Sequence, residues 1–220
     1  MRTWVFLFSG LSFLYFFSII PQNIFLFLFM TQNSPHILIL SGPSGVGKTT
    51  VWEVLHTKHA DHLEKIVTTT TRTKREGETE GKHYYFLSRE DFQSRIDSDD
   101  MIEYALVHGN YYGSTFQELE RIVELGKHPL YIVDPQGMVH LKPLLEHRGY
   151  TVQTFFLLPP SIEELRFRLS GRGTEQSDHM ELRLANALME MEEQDFYDHK
   201  IINTTLEETL ETLATIIFSK

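Results

Sequence analysis

An apolar run, His36-Ile37-Leu38-Ile39-Leu40-Ser41, passes without a break into Gly42-Pro43-Ser44-Gly45-Val46-Gly47-Lys48-Thr49-Thr50. Apolar residues that continue without alternation describe a strand buried on both faces. Residues 42–49 then fit the pattern G-x-x-x-x-G-K-T, whose spacing suits one task. The glycines let the backbone curl, so that successive N–H groups point inward at an anion. Lys48 adds a point charge for β- and γ-phosphates, and the Thr49 hydroxyl is placed to hold Mg²⁺. A helix beginning near Lys48 sets its positive end against the same phosphates. Strand, loop and helix in this order predict a polyphosphate ligand on residues 42–50.

The rest of the chain supports an α/β reading. Pro129–Asp134 and Thr151–Leu158 are further apolar runs of strand length, and Lys200–Asn203 is a shorter one. Helical segments between them, at Thr49–His59, Leu119–Leu125, Ser161–Ser170 and Asp178–Asp195, imply a parallel sheet covered on both faces. Ser161-Ile162-Glu163-Glu164 and Thr205-Leu206-Glu207-Glu208 are capping boxes that open helices, the second with Leu206, Leu210, Leu213 and Ile217 along one face. Residues 65–71 read as one β-rich segment. Residues 72–115 are polar, with aromatic residues and glycines, and read as a turn-rich insertion. His56, His59 and His62 share a spacing of three, which reads as a solvated helix end rather than a metal site.

Charge and composition narrow the function. The chain of 220 residues carries a net charge of −10, which argues against coating nucleic acid. It has no cysteine, so disulfide and thiolate chemistry are not available to it, and a reducing cytoplasm is expected. From Trp4 to Met30 no residue is charged, a length that could anchor in a bilayer. Translation starting at Met30 is the favoured expectation for this extension, residues 1–33, with an anchor as the alternative. Residues 34–220 form the working domain in either case.

Against that acidic background, Thr69-Thr70-Thr71-Arg72-Thr73-Lys74-Arg75-Glu76-Gly77-Glu78 places two arginines three apart just after a strand. Two guanidinium forks so placed can grip one phosphate dianion; a solvated loop is the plain alternative. Gly81-Lys82-His83-Tyr84-Tyr85-Phe86, Glu103 and Gly109-Asn110-Tyr111-Tyr112-Gly113-Ser114 follow, and later Gly171-Arg172-Gly173-Thr174. In this order and spacing, from residue 36 to about 218, the chain resembles the guanylate kinase family.

The resemblance implies a three-layer P-loop NTPase fold, with a monophosphate-binding insertion at about 68–117 and a lid at about 161–196. It implies ATP and GMP as substrates, with dGMP left open, Mg²⁺ as cofactor, and neither nucleic acid nor membrane as partner. It places Arg72, Arg75, Tyr84 and Tyr112 on the GMP phosphate, with Glu78 in the same set. Glu103 and Asp134 face the guanine N1–H and 2-amino donors, and Thr68 and Ser114 reach toward O6 and N7. Lys48, Arg72, Arg168, Arg172 and Arg183 are the expected catalytic cations, the last three as lid arginines, and Asn203 lies near the nucleotide.

Three positions depart from the family. Thr68 replaces a common serine and keeps the hydroxyl. Ile132 stands where many members carry the first carboxylate of D-x-D, which bears on the metal's outer shell. Pro135 is unusual after Asp134. A phosphopeptide-binding scaffold of the same fold is the competing reading, favoured by Ile132 and opposed by the intact Lys48 and Thr49.

Overall fold

The structure is a computed structural model, and it describes residues 35–170 and 177–219. The expected central strand is β1, Ile37–Ser41, buried along its whole length. It lies in the middle of a five-stranded sheet with β2 (Leu63–Lys65), β7 (His128–Ile132), β8 (Val152–Leu158) and β9 (His199–Ile202), in the order β2-β7-β1-β8-β9. Every pairing in it is parallel. Parallel neighbours need crossovers, so helices fall on both faces.

Side-chain alternation along the central strands separates two cores. Leu38, Leu40, Phe155 and Leu157 point to one face, where α1 (Lys48–His59) and α7 (Leu206–Phe218) bring Val51, Leu55, Leu210 and Leu213. Ile37, Ile39 and Phe156 point to the other, where α3 (Phe116–Glu124) and α4 (Pro135–His147) bring Leu119, Ile122, Met138, Leu141 and Leu145. Each fully buried leucine or phenylalanine contributes roughly 1.5–3 kcal/mol, and both faces of this sheet carry them. No helix among the described residues is long and apolar enough to cross a membrane.

The 65–71 segment is not one strand. The chain leaves the parallel sheet after β2, crosses at 66–68, and re-pairs as β3 (Thr69–Thr70) in a second sheet. That sheet has the order β4-β3-β6-β5, with β4 at Tyr85–Phe86, β5 at Met101–Val107 and β6 at Asn110–Thr115. Its β5 and β6 are antiparallel and joined by the tight turn His108-Gly109. Helix α2 (Arg89–Asp97) covers it through Phe92, which is fully buried and stacks on Tyr111 at 5.2 Å. The return crossing is α3. Helices α5 (Ile162–Ser170) and α6 (Ser177–Glu192) form a third, smaller cluster around Leu165, Leu169, Leu184 and Ala187.

Both expected helix starts are capped by their first residue: Ser161 Oγ accepts from Glu164 N–H at 3.1 Å, and Thr205 Oγ1 accepts from Glu208 N–H at 3.3 Å. Helix α4 has no counterpart in the expected elements. Its signals were nonetheless local: Asp134 caps it by accepting from the Gly137 N–H at 2.7 Å, and Pro135 sits at its first position. Proline there loses no helical hydrogen bond and brings the right φ, which accounts for the unusual residue after Asp134.

Candidate active site

The 42–50 loop joins the end of β1 to α1 and is pressed onto its surroundings. A Cβ on Gly42 would stand 2.4 Å from the Leu157 carbonyl oxygen, and one on Gly47 would stand 2.9 Å from Asn203 Nδ2. Gly47 has φ +108° and caps α1 with no side chain over the helix start. That start therefore presents backbone donors to an anion. Val46 pins the loop from beneath: its side chain is fully buried, and its carbonyl accepts from Asn203 Nδ2 at 2.8 Å and Arg168 Nη1 at 3.1 Å. Lys48 Nζ folds over the loop, donating to the carbonyls of Gly42 at 2.6 Å and Pro43 at 3.1 Å. Thr49 and Thr50 lie exposed on the first turn of α1. Ser44 N–H is bonded at 2.9 Å to the carboxylate of Glu190, from α6.

The second sheet carries the arginine pair. Arg72 is gripped by Glu78 through both guanidinium arms, at 2.6 and 3.1 Å, and also donates to the Thr73 carbonyl at 2.8 Å. Its guanidinium lies 5.5 Å from the Tyr84 ring centre and 5.8 Å from that of Phe86. Tyr84 meets Tyr112 edge-on at 5.9 Å. Glu78 accepts a further bond from the Arg75 N–H at 2.7 Å. The Arg72 guanidinium, then the Arg75 amide, hold the Glu78 carboxyl down at about 2. Arg72, Tyr84, Tyr112 and the Arg75 backbone thus converge on one place. Glu78 is the positioner of Arg72, and its negative charge occupies the same guanidinium that a phosphate would meet.

Between the two sheets lies a cavity of about 740 Å³ whose lining includes Thr68, Glu103, Tyr131, Ile132, Asp134 and His140. Ser114, fully buried on β6, donates to Glu103 Oε1 at 3.0 Å. Burial pushes the Glu103 carboxyl up, and the Ser114 bond opposes it. A half-buried carboxylate facing a cavity calls for a ligand that donates hydrogen bonds. Among the described residues the buried Tyr131 hydroxyl has no hydrogen-bond partner.

The chain thus combines a glycine-rich loop at an uncapped helix start, a second sheet whose β3 is followed by Arg72 and Arg75, and a cavity lined by Glu103 and Asp134. The family model for guanylate kinase matches residues 34–220. The chain belongs to the guanylate kinase family. It is 41% identical over 188 residues to a guanylate kinase of Anaplasma phagocytophilum (strain HZ), covering 86% of this chain and 88% of the relative. A guanylate kinase of Bartonella quintana (strain Toulouse) is 39% identical over 189 residues, covering 86% of this chain and 83% of the relative. A solved guanylate kinase from Anaplasma phagocytophilum superposes with a TM-score of 0.58 at 34% identity, covering 84% of this chain and 86% of that one.

Within this guanylate kinase architecture the three expected lid arginines part ways. Arg168 braces the phosphate loop: besides Val46 it bonds Glu164 at 2.8 Å and the Asn203 carbonyl at 3.4 Å. Arg183 lies half-buried on α6. Arg172 falls outside the described residues. Asn203 proves to be a structural anchor, since its Oδ1 accepts from Thr209 Oγ1 at 2.9 Å while its amide holds Val46. Ile132 packs its side chain toward the apolar core at the end of β7. The His56 ring lies tilted against Trp52 at 4.7 Å, and His59 lies 4.8 Å from Phe218. No cluster of three metal-ligating side chains exists among the described residues.

Residue-by-residue reasoning missed Tyr85, Glu118 and Arg121. Glu118 accepts from Tyr85 Oη at 3.1 Å and from Arg121 at 2.8 and 3.0 Å. A glutamate on a helix otherwise bearing charge gives no local sign of being buried.

Proposed function

We propose that this chain transfers the γ-phosphoryl group of ATP to GMP, giving ADP and GDP, within cytoplasmic purine nucleotide recycling. The observation that carries this reading is a cavity whose wall includes Glu103, Asp134 and Thr68, in a chain whose glycine-rich loop leads into the uncapped start of α1. GMP brings its own nucleophile, because a phosphate monoester with a second pKa of about 6 is mostly dianionic at neutral pH. No general base is needed, and the chain's task is positioning and neutralising charge.

Residues 42–50 cradle the ATP phosphates. Lys48 moves from its loop carbonyls onto the β- and γ-phosphate oxygens, where negative charge builds during transfer. Arg72 and Arg75 hold the GMP phosphate, Tyr84 and Tyr112 donate to it, and Glu78 keeps Arg72 in register. Glu103 and Asp134 accept from guanine N1–H and the 2-amino group. Adenine offers neither donor, so a carboxylate facing it loses its partners at a cost of about 1–3 kcal/mol or more. Arg168, Arg172 and Arg183 serve the donor phosphates from the lid, Arg168 through the loop it braces.

The oxygen chemistry of the site fits Mg²⁺. The exposed Thr49 hydroxyl on the first turn of α1, together with phosphate oxygens and water, is a hard-donor set. Mg²⁺ would neutralise charge between the phosphates, held on the protein side by Thr49, with Ile132 offering no carboxylate to its outer sphere. A coupled assay of ADP formation with ATP and Mg²⁺ across GMP, dGMP, AMP, CMP and UMP tests the reading. Turnover confined to guanine monophosphates is expected. Turnover with none of them, alongside phosphopeptide binding, would favour the scaffold alternative.

A further inference from the structure

Glu118 is 3% exposed, yet it is a carboxylate with four hydrogen-bond donors around it. A leucine there would satisfy packing alone, and a buried ion pair is a poor device for stability as such. Its partners show what it joins. Oε1 accepts from the Val67 N–H at 3.3 Å, in the outbound crossing between the two sheets. Oε2 accepts from the Tyr85 hydroxyl at 3.1 Å, on β4 of the second sheet. Arg121, one turn along α3, closes on both oxygens at 2.8 and 3.0 Å and supplies the countercharge. The Tyr85 phenol is pushed upward first by burial and then by the Glu118 charge, so it stays a donor throughout the neutral range.

These contacts bracket one residue. Val67 precedes Thr68, and the Tyr85 N–H donates to the Thr68 carbonyl at 2.9 Å. Thr68 lines the cavity. The helix that carries Glu118 starts at its cap Thr115, whose Oγ1 accepts from the Glu118 N–H at 3.2 Å. Thr115 directly follows Ser114, the hydroxyl bonded to Glu103. One carboxylate therefore ties the segment bearing Thr68 to the segment bearing Ser114 at the point where the chain goes out to the second sheet and comes back.

We propose that Glu118, with Tyr85 and Arg121, is the positioning group that fixes the separation of Thr68 and Ser114 and so sets recognition of the guanine base. The inference rests on the assignment of the cavity to GMP. Glu118 touches neither substrate. It acts by holding the two hydroxyls, and the wall that carries Glu103, at the spacing a purine requires. None of the hydrogen bonds described for this triad reaches residues 42–50, so its effect is expected on the acceptor.

The test is calorimetric titration of the full chain with GMP and, separately, with a non-hydrolysable ATP analogue, alongside steady-state KM and kcat. Tyr85→Phe removes one hydroxyl and keeps the ring. It is expected to weaken GMP roughly three- to tenfold, the loss of one hydrogen bond, and to leave the ATP analogue within twofold. Glu118→Ala is expected to weaken GMP at least about tenfold, with Glu118→Gln restoring part of the affinity through its carbonyl oxygen. Unchanged GMP affinity in Tyr85→Phe, or equal losses for both nucleotides, would overturn the proposal; should Glu118→Ala fail to fold, Tyr85→Phe decides alone. Wild-type protein that bound the ATP analogue but no GMP would instead overturn the assignment of the cavity.

Discussion

The phosphate loop and the arginine-bearing sheet hold similar charges by opposite means. The loop is almost entirely backbone. It is clamped by buried Val46, by glycines that no side chain could replace, and by a sheet buried on both faces. The second sheet is held by side chains: the Arg72–Glu78 fork, stacked aromatic rings, Phe92 as its plug, and the Glu118 triad. A backbone cradle takes any polyphosphate and resists change. A side-chain cradle discriminates, and it can open and close because its bonds are individually exchangeable. Donor and acceptor should therefore fail separately, and substitutions can test that.

The largest effect is expected for Lys48→Ala. It should lower kcat by at least about 100-fold, the size seen when one preorganised charge donor is lost, with the circular dichroism spectrum retained. Near-normal kcat would remove the loop from the chemistry. Next come two equal additions of one methyl group. Gly113→Ala sets a Cβ 2.4 Å from the Glu103 carbonyl oxygen, and Gly42→Ala sets one 2.4 Å from the Leu157 carbonyl oxygen at φ +140°. Each overpacked contact should cost about 1–3 kcal/mol or more. Gly113→Ala should abolish GMP binding while ATP binding survives, and Gly42→Ala should do the reverse and lower Tm further. Parallel losses in both variants would erase the contrast between the two regions.

Arg75→Ala is expected to weaken GMP by about ten- to a hundredfold, the worth of one charge-assisted bond, without moving the KM for ATP. The smallest effects should appear with acid, in two stages. The His128 imidazole on β7 accepts from the His36 N–H at 2.9 Å and lies beside His36 and His62. Burial and those neighbours hold it below its ordinary 6.5, so the unfolded chain binds a proton first and stability falls as pH drops below 6.5. Glu78 is held down at about 2 from 4.5, so its contribution is complete above 4.5 and is lost as pH falls from there toward 2. Hydrogen exchange should show the parallel sheet loosening in the first window and residues 69–115 in the second. A single transition common to both would contradict this.

Much of this was legible in the chain. β1, the loop and α1 follow from an apolar run and a fixed motif, and Ser161 and Thr205 announce their helices through spacing alone. The arginine pair stood out because the rest of the protein is acidic. What the sequence hid was long-range. The break of 65–71 into two sheets depends on which partner each half finds, Lys65 on Leu130 and Thr69 on Gly113. Helix α4 was obscured by Pro135, Gly137 and Pro143, although the first of these is its start signal. The bond from Arg72 to Glu78 leaves no trace in spacing, and neither does the burial of Glu118.

The anchoring of Val46 by Asn203 spans 157 positions of sequence. β1 is likewise framed by β7 and β8, both made later in synthesis. The loop that appears early in the chain is thus the last part of the site to be finished, because its clamp arrives near the end. The β5–β6 hairpin, by contrast, closes over a turn of two residues. During synthesis the acceptor sheet can take shape while the donor loop is still slack. On the proposed function, a growing polypeptide completes its grip on ATP only once residue 203 has emerged, so truncated products released before that point would neither transfer the phosphoryl group nor sequester the nucleotide.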